Sequence, residues 1–260
     1  MLVYPQMTTG ALTQLPVEKR HSLRTVFNTL GDGRWIKLAD PAGETTEWRL
    51  RYTDLSDQEA SALEQFFKAT EGSLRVFTFL DPTANLLAWS DRLDHAEWIK
   101  GPLLSITGGL ADPLGGTNAW HISNAGAAAQ SLSQIVEGPG GYFYCLSAYA
   151  KSSAGEAATL LRGLAREDRI LTSAWSRITF SGSGDATAES VEFGIEVPAG
   201  GSVDLFGMQV EPQTYASAYK RSTTGAVYAT AWFRNDSLNI TATDVNRHSV
   251  TVDIIHANHL

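Results

Sequence analysis

Residues 55–82 read LSDQEASALEQFFKATEGSLRVFTFLDP, and the fold turns on them. Ser56 and Glu59 form a Ser-x-x-Glu capping box, in which each side chain satisfies a donor that a helix start leaves unpaired. Leu63, Phe66 and Phe67 then fall on one face at helical spacing, and Gly72 stands where a left-handed residue ends a helix. After it the period changes to two. Leu74, Val76 and Thr78 alternate with Arg75, Phe77 and Phe79, which predicts a strand with both faces largely apolar, stopped by Asp81-Pro82. One helix lying on a β core, with strands before it, is the expected arrangement. The strand that should complete this module does not follow.

Upstream, residues 1–10 read as an irregular arm. A strand is expected within 16–27, a turn at Gly31-Asp32-Gly33, a strand over 34–38 and a second turn at Asp40-Pro41-Ala42-Gly43. Residues 47–52 alternate cleanly, with Trp48, Leu50 and Tyr52 against Glu47, Arg49 and Arg51.

Downstream of Asn85 the texture changes to short strands parted by Gly, Ser and Pro. The pattern predicts strands near 103–106, 118–123, 131–136, 142–151, 158–164, 176–181, 191–197 and 203–210. About eight strands at this spacing imply a two-sheet sandwich, a jelly roll. After Tyr219 the character shifts again, to strands over 227–233 and 248–255 around a connection at residues 244–247. Some 40 residues are too few for a core of their own. Joined to the N-terminal part they make a module of ordinary size. The expectation is a mainly β chain with a discontinuous, β-sandwich-like base domain with one α-helix (1–84 and 222–260) and an inserted jelly-roll sandwich (85–221).

Composition agrees with two modules. Hydrophobic residues make up 43% of the 260, enough for real cores, and the formal net charge is −8. Residues 85–219 carry 7 Lys/Arg against 14 Asp/Glu, while the flanks carry 13 against 14. An acidic chain is a poor general binder of nucleic acid, whose phosphates demand a basic surface. The single cysteine, Cys145, allows no intrachain disulfide, and no apolar run reaches the ~20 residues that span a membrane. No basic-then-apolar leader opens the chain. Assembly in a cytoplasm is the expectation.

Two resemblances follow from particular residues. Asn85-Leu86-Leu87 with Ser90 and Trp98, then residues 144–151 (YCLSAYAK), residues 175–180 (WSRITF) and Leu205-Phe206-Gly207-Met208-Gln209-Val210-Glu211 with Tyr219 and Gly225, together resemble the carbohydrate-binding-module-like jelly roll of bacteriophage and prophage tail proteins. The flanks resemble the distal-tail and minor-tail group of tail-tip proteins, through Leu55-Ser56 opening a helix with Glu59, then Phe66-Phe67, Gly72, Phe77 and Pro82. The long break between Pro82 and Val227 departs from compact members of that group. The resemblance implies a virion component, assembled in a host cytoplasm. It implies a ring of identical copies that meets tail tube, tape-measure and tip or hub proteins, with outward jelly rolls contacting host-surface glycans. A jelly roll serving only as a spacer or docking surface is the alternative.

No catalytic signature is present: no Gly-x-Ser-x-Gly elbow, Walker loop, His-Glu-x-x-His or Rossmann glycines. No enzyme activity and no cofactor are expected. Gly182-Ser183-Gly184 reads as a turn, and His256-x-x-His259 as a frayed end. Asp91 with Asp94 and Glu97 are carboxylates of the kind glycoside hydrolysis uses, although acidic residues in a polar loop are commoner. Sugar binding asks for a solvent-facing aromatic ring beside polar groups. In residues 142–151, Tyr144, Leu146, Ala148 and Ala150 form the inward set, so Tyr149 is the first such platform, with Ser147 and Lys151 facing the same way. His121 (opposite in parity to Ile122), Arg162 (opposite to Leu161) and Trp175 complete the expected carbohydrate-binding set, each weighed against plain packing or exposure. Trp98 and Trp120 are expected in the core, where burying a large ring contributes ~25 cal/mol per Å². Trp35, Trp48 and Trp232 are either base-module core or an intersubunit seam.

Overall fold

A computed structural model describes residues 1–257. The strands are β1 (Val17–Thr29), β2 (Trp35–Leu55), β3 (Phe77–Leu80), β4 (Ile99–Lys100), β5 (Leu104–Leu110), β6 (Ala119–Asn124), β7 (Gln130–Glu137) and β8 (Tyr144–Lys151). They continue with β9 (Ala157–Arg162), β10 (Ala165–Ile170), β11 (Ser176–Gly182), β12 (Ser190–Val197), β13 (Ser202–Glu211), β14 (Val227–Phe233), β15 (Ile240–Asp244) and β16 (Arg247–Ala257). The helix α1 spans Asp57–Ala69. The chain divides into two compact units, one of residues 1–8, 13–79 and 228 onward, the other of 9–12 and 80–227.

The first unit holds one antiparallel sheet ordered β1-β2-β16-β14-β3, with β15 also paired to β16. Its register follows from the apolar alternation of β2. Trp48, Leu50 and Tyr52 pair with Ile254, Val252 and Val250, so both strands turn their apolar side chains to one face. Between them Arg49 and Asp253 face the other side and form a two-point ion pair. Phe66 and Phe67 of α1 meet the rings of Phe77 and Phe233 at 5.1 Å. The residues after 227 therefore share a core with the helix that precedes the insertion.

The capping box forms: Glu59 N–H donates to Ser56 Oγ at 3.3 Å, and Ser56 N–H to Glu59 Oε2 at 3.0 Å. At the other end Gly72 (φ +64°) sends its N–H back to Phe67 O. Ser56→Ala is expected to cost about 1 kcal/mol, read as a lower denaturation midpoint with an unchanged slope.

Three local expectations are corrected. The strand expected over 74–79 begins only at Phe77, because the Leu74 and Arg75 N–H groups turn back to Glu71 O and Thr70 O, leaving Leu74 72% exposed. Asp40-Pro41-Ala42-Gly43 is not a turn but part of β2. Pairing jumps there from Ser22↔Thr45 to Arg24↔Asp40, a bulge that accommodates a proline without an N–H. The N-terminal arm is irregular, as expected, and it packs on the sheet: Val3 bridges Thr78, and Tyr4 is fully buried, its hydroxyl 2.9 Å from that of Tyr52. Finally β15, too polar to stand out, fills the interval before β16, and residues 244–247 join the two.

Beyond the bulge, β1 and β2 continue as a ribbon that pairs with no third strand among the described residues. Val26, Ile36 and Leu38 lie on one face, Phe27 and Trp35 on the other, all between 40% and 68% exposed.

The second unit is a β-sandwich of jelly-roll type, with two five-stranded antiparallel sheets ordered β10-β9-β12-β7-β4 and β11-β8-β13-β6-β5. Its ends are tied together. Asp81 N–H donates to Ala226 O, and Ala226 N–H to Asn85 O. The Asn85 side chain accepts from Leu87 and Val210 N–H and donates to Met208 O. These are residues that carried the sequence resemblance, and their role is to close this seam. The compact units change over at 79/80 and 227/228, so this seam lies within the sandwich unit. Strand β10, AREDRI, did not stand out because its alternating charges suit an exposed edge.

Candidate functional site

The site stands on the sheet containing β8. Tyr144, Leu146, Ala148 and Ala150 are at most 1% exposed, so Tyr149 and Lys151 face away from the core. Strand register then supplies their neighbours, because directly opposed residues share a face. Arg177 of β11 and Phe206 of β13 flank Tyr149, while Asp204 of β13 lies between Lys151 and His121 of β6. Two rows result: Arg177–Tyr149–Phe206, and Lys151–Asp204–His121.

The contacts bind the rows into one surface. The Arg177 guanidinium lies 5.4 Å over the Tyr149 ring and donates from Nη2 to Ser147 Oγ at 3.0 Å. Its buried Nε has no partner. Tyr149 meets Phe206 at 6.0 Å, and Phe206 is itself covered by Tyr219 at 5.1 Å. Lys151 Nζ sits 4.9 Å over the Trp175 ring and 3.5 Å from Asp204 Oδ2, and Asp204 Oδ1 is 2.7 Å from His121 Nδ1. Tyr149 and Trp175 remain half-exposed, and the His121 side chain is 44% exposed.

One end of this face is closed by the chain after β13. Gln209 and Glu211 point the same way as Tyr149 but are fully buried. Glu211 accepts from Ser217 N–H at 2.9 Å and Lys220 Nζ at 2.9 Å. Burial alone would raise its carboxyl, yet the hydrogen bonds from Ser217 and Lys220 outweigh burial and hold it below its ordinary value. That explains why Cys145 and Ser147, outward by parity, are also inaccessible.

Of the residues expected from sequence, Tyr149, His121 and Trp175 are brought together here. Arg162 is not. It belongs to β9 of the other sheet, is 7% exposed, and lies 4.6 Å over Phe180 while donating to Ser183 O. Burial lowers its pKa. Parity misleads in β9 because Leu160 and Leu161 are both buried, so alternation no longer separates in from out. Arg177, Asp204 and Phe206 were missed; the signal was their alternation with the buried Ile178, Val203 and Leu205.

Of the three carboxylates in the loop between β3 and β4, two are tied to arginines: Asp91 to Arg221 at 2.6 Å and Asp94 to Arg92 at 2.9 Å. The hydrogen bond from Arg92 holds Asp94 below its usual range, the reverse of what a general acid needs. Gly182 ends β11, and Ser183 and Gly184 follow as irregular backbone rather than the expected turn, with Gly184 N–H donating to Gly140 O. His256 lies 5.0 Å from the Tyr228 ring, and His259 is outside the described residues. Among the described residues no cluster of three His, Cys, Asp or Glu is placed to hold a metal, and no helix is long and apolar enough to cross a membrane. Trp48 (1% exposed) and Trp98 (3%) are core, whereas Trp120 and Trp232 are half-buried and Trp35 is 68% exposed.

No protein-family model matches the chain, and no curated protein matches it in sequence. Solved structures similar to part of it include the enzymatically active domain of tailspike protein 4 of bacteriophage CBA120 (11% identity, TM-score 0.41), where the match covers 51% of this chain and 22% of that one. The carbohydrate-binding module TmCBM61, solved with β-1,4-galactotriose, matches at 14% identity and TM-score 0.38, over 49% of this chain and 98% of its own. The C-terminal family 22 carbohydrate-binding module of Clostridium thermocellum Xyn10B matches at 11% and 0.42, over 53% and 99%. Likenesses of this degree carry no functional assignment.

Proposed function

We propose that this chain is a structural protein of a phage tail whose sandwich unit binds host-surface glycan on the Tyr149 face. One observation carries the binding reading: half-exposed rings and a string of charged, hydrogen-bonding groups share a single open sheet face. A pyranose presents apolar C–H faces and peripheral hydroxyls, which such a surface matches. The tail assignment rests on the resemblance of residues 55–82 and 205–225. Sites of this kind are weak singly, and repetition raises avidity by ~10²–10⁴.

Repetition requires self-association, which the ribbon of β1 and β2 supports. Isolated two-stranded ribbons are marginal in water, and this one exposes five large apolar side chains on its two faces. The expected assembly is a ring of identical copies joined through these ribbons, meeting tube and tip proteins. Phe27→Ser with Trp35→Asp is expected to lower the mass measured by light scattering to that of one chain. A wild-type protein that is already monomeric at high concentration contradicts this.

The glycan reading is tested by applying the full-length chain to an array of host-surface glycans. Retention on at least one class is expected. A folded chain that binds none at any density leaves the spacer reading.

A further inference from the structure

The sandwich unit carries a second recess, separate from the Tyr149 face. A cleft of ≈ 320 Å³ lies between the entry loop, with Asp91 and Arg92, and the β5–β6 edge, with Gly108, Thr117, Asn118 and Trp120; Arg221 completes its wall. Ligand clefts begin at about this size. Three features distinguish it from an incidental gap. First, Asp91 is 6% exposed, and while its Oδ2 takes the ion pair from Arg221, its Oδ1 has no donor. An unpaired buried carboxylate oxygen is costly, so a donor is called for. Second, Trp120 is fixed by its indole N–H, which donates to Asp91 O at 3.0 Å. Its ring is only half-buried, because its cross-strand neighbour is Gly108, where a Cβ would lie 2.8 Å from the ring. Third, the loop is held rigidly. Trp89 sits at φ +47°, rare for a bulky residue, and its carbonyl accepts from Arg92 N–H and Trp98 Nε1.

We infer that this cleft is a second carbohydrate subsite, taking one neutral sugar unit that stacks on Trp120 and donates a hydroxyl to the Asp91 carboxylate. The donor chemistry favours a neutral sugar: both arginines already hold carboxylates, and the unmet group is an acceptor. Asn118 and the exposed donors of Arg221 are placed for the remaining hydroxyls. The inference rests on the glycan reading above but concerns a different surface.

The test uses the full-length, ¹⁵N-labelled chain titrated with methyl β-galactoside, methyl β-glucoside, xylose and N-acetylglucosamine. Seven tryptophans give seven indole signals at most, and Trp120→Phe assigns the relevant one. At least one sugar is expected to shift the Trp120 indole signal saturably, in wild type and in Tyr149→Ala alike. Asp91→Asn is expected to weaken that response at least tenfold. Thr117→Trp, a substitution at an exposed rim position, should block the cleft without disturbing the core and serves if the Asp91 variant fails to fold. A Trp120 signal unmoved by every sugar overturns the subsite, as does a shift that survives both the Asp91 and Thr117 substitutions. Signals moving only around Tyr149 overturn the subsite and leave the face reading standing. Signals moving only around Trp120 do the opposite.

Discussion

Phe233→Ala is expected to remove about 3–5 kcal/mol from the first unit, the usual cost of emptying a buried phenylalanine position. Phe233 is 3% exposed and its ring lies 5.0 Å from Phe77, 5.1 Å from Phe67, 5.9 Å from Phe66 and 6.3 Å from Tyr4. It therefore joins four parts of the sequence: the N-terminal arm, the helix, the strand before the insertion and the strand after it. Losing the ring leaves a cavity among four packed aromatic rings, and close-packed neighbours relax only partly into such a space. The measurement is hydrogen exchange on the β2 and β16 amides, with the sandwich amides as an internal reference. Protection should fall in β2 and β16 and hold in β8 and β13. Equal protection everywhere would mean that the C-terminal strands contribute little to this core.

The second large effect is expected at Glu211. Lys220→Met leaves a fully buried carboxylate with hydrogen bonds but no counter-charge, and breaking a pair of this kind costs about 3 kcal/mol. The pH dependence has a definite sign. Because the folded carboxyl lies below its ordinary value of 4.5, its contribution to stability is present above that value and is lost as pH falls through the lower, folded one. The wild-type sandwich should thus lose melting temperature on acidification below pH 4.5. Glu211→Gln should start lower and show a shallower fall. Parallel melting curves for the two would contradict the assignment. The consequence reaches the site, since the segment held by Glu211 carries Tyr219, which covers Phe206 and closes one end of the Tyr149 face.

How much of this was legible beforehand depended on what each signal measured. The capping box at Ser56 and Glu59, and the alternation of Trp48, Leu50 and Tyr52, are local matters of spacing, and the structure follows them. The tip of the β1–β2 ribbon was legible in the strands expected within 16–27 and over 34–38 and the turn at Gly31-Asp32-Gly33, whereas its continuation was hidden because Pro41 and Gly43 read as a second turn and pairing across the bulge is a long-range property. Tyr149 and His121 came from parity within single strands, and Trp175 from its place at the opening of one. Asp204 and Phe206 obey the same parity, but only the register of β13 against β6 and β8 reveals that they share the face. Arg162 failed for the converse reason: β9 is buried on consecutive positions, so period two carries no direction there. The orphaned oxygen of Asp91 had no sequence signature at all, because it depends on Arg221, 130 positions away in the chain.

The most direct trial of the account is a crystal structure of the full-length chain with the glycan that the array selects. The expected result is a sugar ring stacked on Tyr149 or Trp175, with hydroxyls within hydrogen-bond reach of Arg177, Lys151 or Asp204, and an affinity that falls roughly tenfold in Tyr149→Ala, the ~1.4 kcal/mol expected of an aromatic anchor. A sugar seated on any surface that excludes both rings, or an unchanged affinity in the variant, would contradict it.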